Sequence, residues 1–171
     1  MTLPVFFRLL YSSGMRTTEA ILLERDDVNL ENGVVSIKRG KGYDQHYAVL
    51  HDTMLDLMRT YDGRMDELVP NRRVFFPTPD DKPHPPAWVT YHFRVLWQSC
   101  NSSHAIPYEL RHNYAIENIN SWTHQGFAVH DKLLALSKSM GHRQIGSTLA
   151  YYSLTPAISD IMACTDNEIN Q

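Results

Sequence analysis

The sequence predicts a mainly helical domain that carries one small three-stranded antiparallel sheet. Three observations predict it: apolar residues recur at helical spacing over most of the chain, alternation is confined to residues 28–50, and two turn signals, Asn32-Gly33 and Gly40-Lys41-Gly42, cut that stretch into three. With 171 residues, 43% of them hydrophobic, the chain can bury one core, and no internal repeat or low-complexity tract argues for a second domain.

Leu3, Phe6, Phe7 and Leu10 make the stripe of a short first helix, which Gly14 can stop. Thr17 or Thr18 can cap a second, with Glu19 in its first turn, where negative charge suits the helix dipole, and Ala20 to Leu23 as its apolar body. Val28-Leu30 and Val34-Ile37 flank Asn32-Gly33, the signature of a two-residue type I′ hairpin, and His46-Leu50 follows the second turn as the third strand. Asp52 can cap the next helix, striped by Met54, Leu57, Met58 and Tyr61. Residues 77–86 hold five of the nine prolines and read as an exposed loop. Val89, Phe93, Leu96, Trp97 and Cys100 then share one helix face, and a further helix after Pro107 carries Leu110, Arg111, Tyr114, Ala115 and Ile119. Residues 121–129 show no period and read as loop. Leu133, Leu136 and Met140 stripe a helix that Gly141 can close, residues 147–152 form a short helix or turn, and Thr155-Pro156 opens a last helix with Ile158, Ile161 and Met162 apolar.

Four stretches carry chemistry: Gly14-Met15-Arg16, Gly40-Lys41-Gly42, Glu109-Leu110-Arg111-His112, and Gly141-His142 followed by Tyr151. Together they supply two arginines, a lysine, a histidine and a tyrosine. These side chains can hold a phosphodiester, attack it with a phenol and release an alcohol. In this order, with Thr148-Leu149-Ala150-Tyr151-Tyr152 at the end, they resemble the catalytic domain of the tyrosine recombinase (phage integrase) family over nearly the whole chain.

The resemblance implies a site-specific recombinase that cleaves and rejoins double-stranded DNA through a 3′-phosphotyrosyl intermediate. Arg16 and Arg111 would clamp the non-bridging oxygens, with His142 and Tyr108 adding hydrogen bonds. Lys41 would protonate the leaving 5′-oxygen, and Tyr151 would be the nucleophile. Neither metal nor other cofactor is expected, since guanidinium forks carry the electrostatic load. It further implies that residues 1–171 are the C-terminal catalytic domain without its N-terminal core-binding domain. Other protomers would join in a DNA-bound synaptic complex, the segment from Thr155 to Cys164 would dock on a neighbour, and the isolated fragment would be monomeric.

The chain departs from the family at Tyr108, where histidine usually precedes the second arginine by three. A phenol can donate to a phosphate oxygen but is a poor proton shuttle at neutral pH. Tyr108 favours, as an alternative, a catalytically weak regulatory relative; a type IB topoisomerase-like relaxing enzyme, which forms the same intermediate, and an unrelated helical interaction domain also stay open. Taken singly, each residue also has a plainer use: Arg16 can pair with Glu19, Lys41 can be a solvated hairpin tip, Arg111-His112 a surface pair, His142 a compensator of a helix dipole, and Tyr151 part of the core. Their joint occurrence in family order is what favours the chemical reading.

Composition restricts the rest. Cys100 and Cys164 make no disulfide framework or C-x-x-C pair, so a reducing cytoplasm is the expected location. The nine histidines include no H-E-x-x-H pattern. Leu3-Leu10 contains Pro4 and Arg8 and is too short to span a membrane. A net charge of −3 is the wrong sign for general attraction to DNA, so contact must be local. Lys38, Arg39 and Lys41, with Arg111 and Arg143, supply the candidate basic face. The acidic residues Asp26, Asp27, Glu31, Asp62, Asp66, Glu67, Asp80 and Asp81 are expected on the others.

Overall fold

A computed structural model describes residues 1–38, 45–122, 129–142 and 144–152. In chain order these form α1 (Thr2–Ser13), α2 (Thr17–Ile21), a 3-10 turn (Arg25–Asp27), β1 (Val28–Asn29), β2 (Val34–Ile37), β3 (His46–Val49), α3 (Asp52–Leu68), α4 (Pro86–Cys100), α5 (Glu109–Ser121), α6 (Val129–Ser139) and α7 (Gly146–Tyr152). The sheet is antiparallel in the order β1-β2-β3, with Val28 opposite Val35 and Ile37 opposite His46. Mainly helical with one small sheet is thus what forms. The last helix expected from Thr155 lies outside the described residues. Among those residues, no helix is long and apolar enough to cross a membrane.

Two apolar clusters organise the chain. The larger joins the buried faces of α1, α2, α3 and the sheet, and the smaller joins Ala115, Ile119, Leu133, Leu136, Met140 and Tyr151 from α5, α6 and α7. Helix α1 packs on both α3 and α5 and so connects them. The segment Val74-Phe75-Phe76, given no role above, is buried, with Phe75 and Phe76 in the larger cluster. Phe76 meets Phe6 and Tyr61 at centroid separations of 5.3 and 5.2 Å, and the Phe75 N–H donates to Leu23 O at 2.8 Å.

Several local expectations are corrected. The N-cap of α2 is Arg16, not a threonine: the Glu19 carboxylate reaches back to accept the Arg16 backbone N–H at 2.6 Å. His51, not Asp52, caps α3, its Nδ1 accepting from the Thr53 N–H. The first hairpin has a four-residue connection, since Asn29 pairs with Val34 and the Asn29 side-chain oxygen takes the N–H groups of Glu31 and Asn32. That local bonding displaces the two-residue turn. On α4 only Val89 and Phe93 are buried, while Leu96 and Cys100 face solvent. Asp27 and Asp62 are buried rather than superficial: Asp27 pairs with Lys38 at 2.7 Å, and Asp62 takes both Arg25 and the fully buried Arg72.

Gly14 closes α1 as expected, at φ 64°, with its N–H on Leu10 O. A Cβ there would also enter the Tyr114 ring on α5. Gly14→Ala should therefore destabilise the fold by roughly 2–3 kcal/mol, combining the left-handed backbone with the clash. Denaturant unfolding measures it; a loss under about 0.5 kcal/mol would show that Tyr114 moves aside freely.

Candidate active site

The site forms where the starts of α2 and α5, the Gly141-His142 turn and α7 converge. A cleft of about 400 Å³ is lined by Arg16, Tyr108, Gly141, His142, Gln144, Ser147 and Tyr151. Arg16 stands at the head of α2, where Glu19 holds its Nη1 at 2.7 Å and Gly141 O faces its Nη2 at 3.4 Å. The surface pairing of Arg16 with Glu19 and the aiming of Arg16 at the cleft are therefore the same arrangement.

Arg111 forms the floor. It is only 2% exposed, with Nη1 donating to Gly14 O at 2.5 Å and Nη2 to Met140 O at 2.7 Å and to His142 Nε2 at 2.9 Å. Its buried Nε–H has no partner among the described residues. Among the described residues no carboxylate pairs with it. Burial, then the neighbouring Arg16 charge, lower its pKa, but a guanidinium keeps its proton. The result is a buried cation with uncharged partners beside a second arginine, an environment that favours an incoming anion.

His142 is half-buried, and burial followed by the charges of Arg111 and Arg16 depresses its pKa to about 4, so the free ring is neutral. Both its nitrogens are engaged, Nε2 by Arg111 and Nδ1 by Thr148 Oγ1 at 2.7 Å. A guanidinium offers only N–H groups, so without a bound phosphate Nε2 is the acceptor. Its turn needs glycine at 141, where φ is 65° and a Cβ would lie 2.5 Å from the His46 ring.

Tyr151 is buried on α7, with its ring 6.3 Å from that of His142 and nearly parallel to it. Burial raises its pKa first, and the Tyr108 phenol beside it adds to this, chiefly because two neighbouring phenolates would repel, while the Arg111 charge opposes them. His112 packs edge-on against Tyr108 at 4.6 Å and reaches Tyr151 at 5.3 Å.

The structure thus brings Arg16, Tyr108, Arg111, His142 and Tyr151 together. Lys41, Arg39 and Arg143 lie outside the described residues. Lys38 stands apart from the cleft, held by Asp27 and by Glu24 at 3.2 Å, so its charge is already balanced. Sequence reasoning gave no part to Gln144, Ser147, His46 or Thr148. Only Thr148 lay within a stretch singled out, and no spacing marks a hydroxyl that meets a histidine across a turn.

The phage integrase family model matches residues 1–157. The chain belongs to the phage integrase family. Tyrosine recombinase XerD of Staphylococcus haemolyticus is 28% identical over 147 residues, covering 84% of this chain and 47% of the relative. Among solved structures, a crystal structure of XerA recombinase superposes with TM-score 0.73 at 18% identity, over 92% of this chain and 55% of that one. XerH bound to difH substrate in a pre-cleavage complex gives TM-score 0.69 at 20% identity, over 86% and 41%. These structures share the fold of this phage integrase family member. The chain spans about half the length of the curated relatives it matches.

Proposed function

We propose that this chain is the catalytic part of a site-specific DNA recombinase or integrase that breaks and rejoins strands through a 3′-phosphotyrosyl bond on Tyr151. The observation that carries the reading is the buried guanidinium of Arg111, which no carboxylate among the described residues pairs with, beneath a cleft shared by Arg16, His142 and Tyr151. A phosphodiester supplies the missing negative charge. Its non-bridging oxygens would take N–H groups of Arg111 and Arg16, and the charge that grows on them in the phosphorane-like state is what fixed guanidinium forks stabilise best. Tyr151 Oη attacks phosphorus and loses its proton as the bond to the 5′-oxygen breaks. That oxygen needs a proton, for which Lys41 is the candidate. The phosphotyrosyl bond conserves the energy of the broken link, so rejoining needs no nucleotide.

Membership of the phage integrase family, and XerH having been solved on difH substrate, support duplex DNA as the partner. We further propose that residues 1–171 act with a core-binding domain and with other protomers on paired sites, that the chain alone is monomeric, and that it works in the cytoplasm. Arg39 and Arg143 are the proposed backbone contacts, with Lys38 joining them only by leaving its carboxylates.

The test is a nicked suicide duplex carrying the element's own junction, incubated in excess chelator. A covalent adduct whose modified peptide contains Tyr151 is expected. Cleavage that requires added magnesium would overturn the arginine-based mechanism, and relaxation of plasmids without synapsis would favour the topoisomerase-like alternative. Tyr108 gives a narrower result. If its hydroxyl serves the phosphate, Tyr108→Phe should slow single-turnover cleavage about fivefold and Tyr108→His should match or exceed the wild type. Equal rates for wild type and the phenylalanine variant would mean that residue 108 only packs.

A further inference from the structure

Thr148 is fully buried in the first turn of α7, and its Oγ1 lies 2.7 Å from His142 Nδ1. The other ring nitrogen, Nε2, lies 2.9 Å from Arg111 Nη2. A guanidinium has only N–H groups to offer, so Nε2 must accept. A neutral imidazole has one proton, and that proton is therefore on Nδ1, donated to Thr148. The chain of bonds Arg111 to His142 to Thr148 has one consistent direction.

We propose that Thr148 is a positioning residue for the strand cleavage proposed above, on which this inference rests: it fixes the Nδ1–H form of His142 and leaves Nε2, beside Arg111, as the nitrogen that meets the phosphate. Without that bond the ring can hold its proton on either nitrogen. In the Nε2–H form it would present a donor to Arg111, opposing the guanidinium instead of accepting from it. Thr148 also lies three residues before Tyr151 on the same helix, so one bond registers the His142 turn against the nucleophile's helix.

The consequence on substrate binding has a definite sign. Around His142 stand Arg111 from α5, Arg16 at the head of α2, His46 from β3 and Glu19 from α2; all but Glu19 disfavour the imidazolium. A phosphodiester anion opposes the arginines. Once Arg111 turns its N–H to that anion, Nε2 can bind a proton and donate it to a phosphate oxygen, while Nδ1–H still donates to Thr148. An acceptor on Nδ1 favours the charged ring, so removing it lowers the pKa of His142 in the complex. Cleavage that needs the imidazolium then fails at lower pH than in the wild type.

Thr148→Val keeps the shape and deletes the acceptor, and Thr148→Ser restores it. In ¹⁵N spectra of the histidine rings of the DNA-free chain, with the His142 signals assigned by their loss in His142→Ala, the wild type and the serine variant should show the Nδ1–H form and the valine variant a mixture. In single-turnover cleavage, Thr148→Val should be about tenfold slower, with the alkaline limb moved down by about one pH unit and DNA affinity unchanged. In a His142→Ala background it should have no further effect. An Nε2–H ring in the wild type overturns the proposal whatever the variants do. So does a slowed valine variant with an unshifted pH profile, or one equally slowed without His142. If no variant and no wild type forms an adduct, the recombinase reading itself fails, and the ring spectra still decide the tautomer.

Discussion

Tyr151→Phe should abolish covalent attachment to DNA, while Tyr152→Phe should retain it. Both residues lie on α7, so a benign change at either position preserves the helix. The Tyr151 ring lies among His112, His142 and Tyr108 with Arg111 beneath, and its hydroxyl adjoins the proposed anion site. Removing one oxygen from a buried ring costs little packing, so the variant should fold and bind DNA as before. The loss should be complete because His142 and Arg111 can bind a phosphate but cannot form a stable ester with it, and a phosphopeptide modified at Tyr108 or Ser147, the other hydroxyls that line the cleft, would show a substitute nucleophile. Its raised pKa adds a second expectation. The free phenol is protonated at neutral pH, held so by burial and by Tyr108, and it becomes reactive only when the phosphate draws it toward the arginines. Adduct mapping by mass spectrometry decides, and a phosphopeptide modified at Tyr152 would sink this assignment of the nucleophile.

The order of elements was legible because each rests on a local signal. Gly14 and Gly141 adopt the left-handed conformation that their place after an apolar run suggested, and the stripe Leu133, Leu136, Met140 is buried as a helical period requires. What periodicity does not contain is which neighbour arrives. Leu96 shares a face with Phe93 in the sequence, yet Phe93 is buried and Leu96 is exposed. Lys38 sits among basic residues in sequence and among carboxylates in space. The candidate site follows the same division. Residue types and order pointed to Arg16, Tyr108, Arg111, His142 and Tyr151, yet the bonds that make Arg111 a floor reach 97 and 29 residues along the chain, to Gly14 and Met140. The Thr148 contact depends on a turn geometry that no spacing specifies.

Arg111→Ala should lose both stability and chemistry, and the two can be separated. The guanidinium ties the C-terminal cap of α1, the end of α6 and the His142 turn through three uncharged acceptors. Its removal strands two carbonyls in a buried place, at a cost of about 2–4 kcal/mol, and leaves a cavity where the side chain lay. On top of this the barrier to cleavage should rise by about 3 kcal/mol, more than a hundredfold in rate, as for other lost donors to a developing oxyanion. Arg111→Lys distinguishes the terms. An ammonium keeps the charge and can reach one carbonyl, so much of the stability should return. It cannot serve Gly14 O, Met140 O and a phosphate together with one planar fork, so cleavage should remain slow. Arg16→Ala supplies the contrasting case: it gives up a half-buried pair with Glu19 and a long contact with Gly141 O, so the fold should lose about 1–2 kcal/mol while the rate falls as for Arg111. Urea unfolding beside single-turnover cleavage at saturating DNA measures both quantities. A lysine variant that cleaves at the wild-type rate would reduce Arg111 to a structural strut, and the proposed anion site would then rest on Arg16 alone.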